Sequence, residues 1–265
     1  MRIRNEERTH PREAHGQQDH LISGRRLLLA IALILLLAGG IGMLTFIIAR
    51  AINPAWMGTV DFVVLVVAEV YASVIAALLL AFGGPAGVRE RLAFRYTGGR
   101  DLFLALGVLV LVQSVTILVY VLLSPILGSP QSTLLQELRL TTDLSRLSSA
   151  DALALGLIAI RACLLSPLAE ELAFRGALFG WIRRHLPALP TILLTSVFFS
   201  AIHTYVPFSL QTQLPLFSDI FLGSIVVAWV RERTGSSLNT FVMHAVNNSL
   251  ALIVAYVLVA QHLAR

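Results

Sequence analysis

Three short stretches of this sequence place ionisable or amide side chains inside long apolar runs. They are Glu170-Glu171-x-x-x-Arg175, Phe199-x-x-x-His203 and His244-x-x-x-Asn248. Ionisable groups are costly at bilayer depth, and they are retained there for pairing, transport or chemistry. Any chemistry that the protein performs is therefore expected in the second half of the chain.

The two adjacent carboxylates of the first stretch point to different faces of a helix. On an α-helix, residues four apart share a face, so Glu171 and Arg175 can form a charge-assisted pair. Glu170 points about 100° away from that pair, because successive side chains are rotated by this angle around the helix axis. We therefore assign Glu171 and Arg175 a supporting, structural role and Glu170 a catalytic one.

A carboxylate, two imidazoles and an amide are groups suited to hydrolysis. Glu170, helped by His203, could activate a water as a general base. His244 and Asn248 could then donate hydrogen bonds to the oxyanion that develops on a scissile carbonyl. The same atoms permit a second assignment, in which Glu170, His203 and His244 ligate Zn²⁺ with water in the fourth position. The sequence leaves both assignments open.

Long apolar runs must position these groups. The chain has 265 residues, of which 57% are hydrophobic and 13% charged. Crossing a hydrocarbon core of about 30 Å takes roughly 20 apolar residues. The pattern predicts an all-α, polytopic transmembrane bundle of about seven membrane helices, with eight as the alternative, and the active site inside the bundle. The seven runs are Leu27–Ala49, Val60–Gly83, Leu102–Leu127, Ala152–Trp181, Pro190–Val206, Pro215–Val230 and Leu238–Ala260.

The runs divide the chain into three parts. Residues 1–26 are polar and predicted to form a disordered cytoplasmic tail. Residues 27–127 form the N-terminal transmembrane helices, where Glu69 lies mid-span with no evident partner. Residues 151–260 carry the candidate catalytic groups. The first run could also be a signal peptide, but it is longer than the 7–15 apolar residues typical of one, which favours a retained helix.

The charge distribution indicates orientation rather than nucleic-acid binding. All 20 basic residues are arginines, and the net charge is +5. Most of them fall in the N-terminal tail and in alternate loops, which the positive-inside rule assigns to the cytoplasm. We expect a multi-pass protein of the cell membrane with a cytoplasmic N-terminus and an external C-terminus. Its basic loops would contact anionic lipid, and no nucleic-acid partner is expected.

The depths of the candidate groups in the bilayer are compatible without being equal. At 1.5 Å per helical residue, Glu170 and His203 each lie about 21 Å above the inner surface. By the same rise His244 lies about 9 Å and Asn248 about 15 Å above that surface. Tilted helices, or a bend at Pro167, would close the gap.

In this order, the three stretches resemble the CPBP family of intramembrane proteases, also called the Abi or CAAX protease and bacteriocin-processing family. The family is related to the type II CAAX prenyl endopeptidases. The resemblance covers about residues 151–250, and the family pattern is met at every position: Glu-Glu-x-x-x-Arg, Phe-x-x-x-His, and His-x-x-x-Asn or Asp. Patterns of other intramembrane proteases, such as His-Glu-x-x-His, Gly-x-Gly-Asp and Gly-x-Ser-Gly, do not occur in the sequence.

The resemblance implies an endopeptidase that acts within the membrane on membrane-embedded or lipidated substrates. By position, the family's catalytic residues fall on Glu170, His203, His244 and Asn248. Some members are labelled metallopeptidases and others are described as using a glutamate-activated water, so zinc stays an open expectation. The alternative is a non-proteolytic bacteriocin-immunity or peptide- or lipid-binding protein of the same fold.

Overall fold

Helices make up all the regular structure that the computed structural model describes, which covers residues 22–58, 60–127, 152–203 and 210–263. The predicted all-α class is confirmed for these residues. A single 3₁₀ turn, Pro54–Gly58, follows the first helix. The helices are α1 (Gly24–Ile52), α2 (Val60–Phe82), α3 (Gly84–Arg91), α4 (Gly99–Leu127), α5 (residues 152–183), α6 (Ala188–His203), α7 (Leu210–Thr234) and α8 (Ser237–Leu263).

A helix covers the described part of each predicted apolar run. Within the described residues, two helices are long and apolar enough to cross a membrane by themselves, Gly24–Ile52 and Leu65–Phe82. The count of seven or eight membrane helices stays a prediction. The fit is loosest at α7, which extends beyond the predicted Pro215–Val230 at both ends.

The outward faces of these helices are apolar. On α1, Leu35 and Leu36 are 70% and 68% exposed, and similar side chains line the outer faces of α4 and α8. A continuous apolar surface of this extent marks contact with a membrane or a partner rather than with water. The same helices bury small residues inwards, such as Ala30 and Ala49 of α1, which allows close helix packing.

Helix α5 lies at the centre of the packing. One core cluster joins it to α1, α2 and α3 through residues that include Phe82, Leu92 and Leu172. A second cluster joins it to α6 and α7 through Phe179, Ile192 and Ala228. The residues of α5 that carry the candidate chemistry are therefore held from several sides.

The described residues begin inside the segment predicted to be a disordered tail. Helix α1 begins at Gly24, where the Ser23 side chain accepts a hydrogen bond from the backbone N–H of Arg26. Ile22 is only 1% exposed, and its carbonyl accepts a hydrogen bond from the Arg184 guanidinium. An apolar side chain and a helix cap therefore secure residues 22–26. Residues 1–21 and residues 128–150, which separate the third and fourth predicted runs, lie outside the described residues.

Residues 92–97, which follow α3, contact the N-terminus of α8. The Ser237 hydroxyl donates to the Leu92 carbonyl at 2.6 Å, and the Ser236 hydroxyl donates to the Arg95 carbonyl at 2.6 Å. The Ser237 backbone N–H donates to the Ala93 carbonyl at 3.0 Å. Residues of the first half therefore satisfy groups at the N-terminus of a helix in the second half.

Gly176 of α5 lies against the same stretch. A Cβ at this position would stand 2.9 Å from the Leu92 Cβ and 3.3 Å from its carbonyl oxygen. We expect Gly176→Ala to lower the free energy of unfolding by about 1–3 kcal/mol through overpacking. Gly156→Ala on the same helix is the matched control, since a Cβ there meets nothing within 4 Å. Melting temperatures of both variants in detergent test this, and an equal Tm for the two would contradict the close contact.

Candidate active site

Helix α5 departs from α-helical geometry on both sides of Glu170. Residues Arg161–Leu165 and Glu171–Leu178 form π-helical segments, with the α-helical turn Ser166–Glu170 between them. Pro167 accounts for the first departure, because it lacks an N–H and its ring clashes with the carbonyl four residues earlier. The Ser166 N–H instead donates to the Arg161 carbonyl, five residues earlier. Such π-segments occur frequently at functional sites.

The second π-segment carries the ion pair that the spacing predicts. The Arg175 Nη1 donates to the Glu171 Oε1 at 2.9 Å, and the two side chains are 2% and 0% exposed. The Arg175 Nη2 also donates to the Ser224 hydroxyl of α7 at 2.9 Å. The guanidinium carbon lies 4.3 Å from the centroid of the Phe199 ring. Arg175 therefore joins α5 to α6 and α7.

Glu170 uses its two carboxylate oxygens differently. Its Oε1 accepts hydrogen bonds from the Ser166 hydroxyl at 2.5 Å and from the Tyr71 hydroxyl at 3.1 Å. Its Oε2 faces the Nε2 atoms of His203 at 3.7 Å and of His244 at 3.8 Å. Glu170 is 7% exposed. One oxygen is thus held by hydroxyl donors, while the other is directed at two imidazoles.

Hydrogen bonds at the far side of each imidazole define its tautomer. The Nδ1 of His203 lies 2.7 Å from the Phe199 carbonyl oxygen, and the Nδ1 of His244 lies 3.0 Å from the Glu171 Oε1. A carbonyl or carboxylate oxygen can only accept, so each Nδ1 carries the proton. In the neutral imidazoles, both Nε2 lone pairs are therefore directed towards the Glu170 Oε2.

Phe199 is the aromatic centre of the site. Its ring meets the Phe174 ring edge-on with centroids 5.1 Å apart. The rings of His203 and His244 lie 4.5 Å and 6.2 Å from it. Because Phe199 is buried and also lies beneath the Arg175 guanidinium, it fixes both imidazoles against the ion pair.

Asn248 is placed differently from the other predicted site residues. Its Nδ2 donates to the Ala162 carbonyl of the first π-segment at 2.9 Å. The structure therefore brings Glu170, His203 and His244 together, and it gives Asn248 a backbone partner on α5. The second N–H of the amide is not used by this hydrogen bond.

The structure removes most of the depth difference that a straight α5 implies. Glu170 and His244 lie side by side, although 1.5 Å per residue places them about 12 Å apart in depth. The π-segment Glu171–Leu178 accounts for a small part of this difference, because more residues per turn shorten the helix between Glu170 and the end of α5. In addition to the bend predicted at Pro167, α5 thus changes its helix type.

The three converging groups fit a metal in type, and the distances between them are slightly longer than those of a metal site. Carboxylate oxygen and imidazole nitrogen are common zinc ligands, and a tetrahedral site with bonds near 2.1 Å holds its ligand atoms about 3.4 Å apart. The Glu170 Oε2 lies 3.7 Å and 3.8 Å from the two Nε2 atoms. Among the described residues, no three His, Cys, Asp or Glu side chains are close enough to hold a metal ion. The chemistry below therefore includes no step through one.

The sequence analysis did not predict several contacts of the site. Tyr71 and Ser166 contact Glu170, and Ser224 contacts Arg175. Glu69, for which the sequence indicated no partner, accepts a hydrogen bond from the Thr45 hydroxyl of α1 at 2.7 Å. Ser166 could have been identified, since it lies four residues before Glu170 on the same face. The others lie on different helices, where spacing along the sequence carries no signal.

Comparison with known proteins finds one family match, in the second half of the chain. Residues 152–250 match the family model of Rce1-like type II CAAX prenyl endopeptidases. This range contains all the predicted site residues, and it agrees with the resemblance read from the three stretches. No curated protein matches the chain, and no solved structure matches it.

Proposed function

We propose that this protein belongs to the Rce1-like type II CAAX prenyl endopeptidase family, whose model its residues 152–250 match, and that it is an intramembrane endopeptidase. Its substrates are membrane-embedded or lipidated peptides and proteins. Glu170 is the general base, assisted by His203, while His244 and Asn248 stabilise the oxyanion. The carrying observation is the convergence of the Glu170 Oε2 with the Nε2 atoms of His203 and His244.

The Glu170 Oε2 and the His203 Nε2 are two hydrogen-bond acceptors 3.7 Å apart, a spacing that suits a water molecule between them. Such a water would donate its hydrogens to the Glu170 Oε2 and the His203 Nε2, and its lone pair would be directed at the scissile carbonyl carbon. Glu170 takes a proton as the new C–O bond forms. The protonated Glu170 then delivers this proton to the leaving nitrogen as the C–N bond breaks. The second hydrogen of the water stays on the new carboxyl group and passes to the released amine, so the products are a carboxylate and an ammonium group, and no further reactant is needed.

The oxyanion donors follow from the hydrogen bonds of His244 and Asn248. The Nδ1–H of His244 is directed at Glu171, so His244 can donate to an oxyanion from Nε2 only as an imidazolium. Asn248 keeps one N–H on the Ala162 carbonyl and would offer the other. Donors held in advance at the position of developing charge are the usual source of transition-state stabilisation in acyl transfer.

The membrane arrangement is part of the proposal. We propose a multi-pass cell-membrane protein with a cytoplasmic N-terminus and an external C-terminus, as the arginine distribution indicates. The basic loops would contact anionic lipid headgroups, while a substrate would enter the bundle between helices. Accessibility labelling of single cysteines introduced in a Cys163→Ala background, at exposed positions such as Arg100 in the first turn of α4, tests the orientation. Labelling of that position from outside intact cells would contradict it.

Proteolysis can be tested without knowing the natural substrate. Wild-type protein, Glu170→Gln and the control Glu90→Gln are reconstituted in liposomes with prenylated peptides, acylated peptides and a single-span membrane peptide. Mass spectrometry then detects newly formed termini. We expect products with the wild type and with Glu90→Gln, whose side chain is exposed on α3, but not with Glu170→Gln. Tight binding of a peptide that is never cut would support the non-proteolytic alternative instead.

The proposed mechanism leads to a prediction about metal content. Because Glu170 activates the water directly in this mechanism, we expect purified, folded protein to hold no stoichiometric zinc. Elemental analysis of the wild type beside His203→Ala provides the measurement. About one zinc per chain that is lost in His203→Ala would contradict the prediction, and Glu170 would then act at or beside a metal.

A further inference from the structure

The site extends beyond the residues that match the family, because one of its hydrogen bonds comes from α2. We infer that Tyr71 is a positioning residue for Glu170, and that it directs the general base from outside residues 152–250. This inference rests on the proposed function, since it assigns Tyr71 a part in the same reaction. The observation that carries it is the hydrogen bond from the Tyr71 hydroxyl to the Glu170 Oε1 at 3.1 Å.

The hydrogen bond determines which oxygen of Glu170 acts as the base. Rotation of a carboxylate about its last bond exchanges the two oxygens unless one of them is held. The hydroxyls of Ser166 and Tyr71 both donate to Oε1, so Oε2 remains directed at His203 and His244. A base must lie within hydrogen-bond reach of the proton that it removes. The two hydroxyls thus keep Oε2 where the water would be activated.

The hydrogen bonds that Tyr71 and Ser166 donate to Glu170 come from different helices. Ser166 lies on α5 itself, four residues from Glu170, so its hydrogen bond moves with that helix. Tyr71 lies 99 residues away on α2, so its hydrogen bond fixes the carboxylate relative to a second helix. Packing supports this contact, because Leu78 and Phe82 of α2 share one buried cluster with Leu172 of α5. The helix that carries Tyr71 is thereby held against the helix that carries Glu170.

Tyr71→Phe removes the hydroxyl and keeps the ring, so it isolates the hydrogen bond. A hydrogen bond to a charged group corresponds to roughly a tenfold to hundredfold change in an equilibrium or rate. We expect kcat to fall by roughly that factor, while KM stays within about twofold of the wild type, because the substrate does not contact this oxygen. The yield of folded protein and the Tm should match the wild type.

The kinetic test uses a peptide that the wild type cleaves in liposomes, and it compares Tyr71→Phe with Tyr256→Phe and Glu170→Gln. Tyr256 is a matched control, since its side chain is half exposed on α8, and its variant should keep the wild-type kcat. Wild-type kcat in Tyr71→Phe, with no cleavage by Glu170→Gln, would overturn the inference and leave the proposed function standing. Equal cleavage by the wild type and Glu170→Gln would overturn the proposed function.

A second measurement does not depend on cleavage. Histidines labelled with ¹⁵N report through their Nε2 resonances on the carboxylate beside them. Tyr71→Phe and Glu170→Gln should both shift the resonances of His203 and His244, whereas Tyr256→Phe should leave them in place. Unchanged resonances in Tyr71→Phe, beside shifted ones in Glu170→Gln, would show that Tyr71 does not position the carboxylate.

Discussion

Replacing Glu170 with glutamine is expected to abolish cleavage while the protein still accumulates in folded form. The amide cannot take a proton from water, and general-base catalysis contributes about 10²–10⁴ to a rate. Its oxygen can still accept hydrogen bonds from Ser166 and Tyr71, so the packing around α5 is preserved. Initial rates with one peptide substrate, together with the elution profile and circular dichroism of the purified variant, provide the measurement.

The surface variant Glu90→Gln serves as the control for this experiment, because it makes the same chemical change on an exposed residue. It should cleave at the wild-type rate. If folded Glu170→Gln kept more than about half of that rate, the loss of a general base could not explain the mechanism. His203 would then be the next candidate base, since its Nε2 faces the same point.

Breaking the buried pair next to Glu170 is expected to affect folding first. Arg175→Ala leaves the Glu171 carboxylate in a fully buried position without its cation. The loss of one partner from a buried pair costs about 3–5 kcal/mol, and Arg175 also loses its contacts with Ser224 and Phe199. We expect a much lower yield of monodisperse protein and a lower Tm, with a similar though smaller effect in Glu171→Gln.

The pair Arg183–Glu232 offers a matched control near the end of α5. Its N–O distance is 3.1 Å, but its side chains are 31% and 22% exposed. Arg183→Ala should cost only about 0–1 kcal/mol, since partly exposed pairs are weak. If Arg175→Ala folded as well as Arg183→Ala and lost only activity, Arg175 would belong to the chemistry. Equal loss of folded protein in Glu170→Gln would likewise contradict the division of roles between the two glutamates.

The helices themselves were predictable because apolar run length is a local property. A run long enough to cross a bilayer must satisfy its own backbone hydrogen bonds, and a helix does this. The Glu171–Arg175 pair could be predicted equally well, since a spacing of four residues places both side chains on one face. Helix ends were less predictable. Helix α7 reaches from Leu210 to Thr234, beyond the apolar part, because polar residues can continue a helix outside the hydrocarbon region.

The sequence contains no comparable signal for the change of helix type within α5. Pro167 indicated a bend, but composition does not say whether a proline produces a kink or π-helical turns. This change is one reason why depths calculated for a straight helix misplaced Glu170 relative to His244. Tyr71 and Ser224 were missed for a different reason. Each is a single polar residue in an apolar helix, and its partner lies on another helix, so tertiary packing alone identifies it.

The hydrogen bonds beneath α8 have a consequence for the order in which the protein is made. Ser236, Ser237 and Asn239 take their partners from the stretch that contains Leu92 and Thr97. A ribosome completes that stretch more than a hundred residues before it reaches α8, so the acceptors are already present when the last helix emerges. The partners of the α8 N-terminus are thus synthesised before α8 itself. A fragment limited to residues 152–250 would lack these partners, and the polar groups at the start of its final helix would lose their hydrogen bonds.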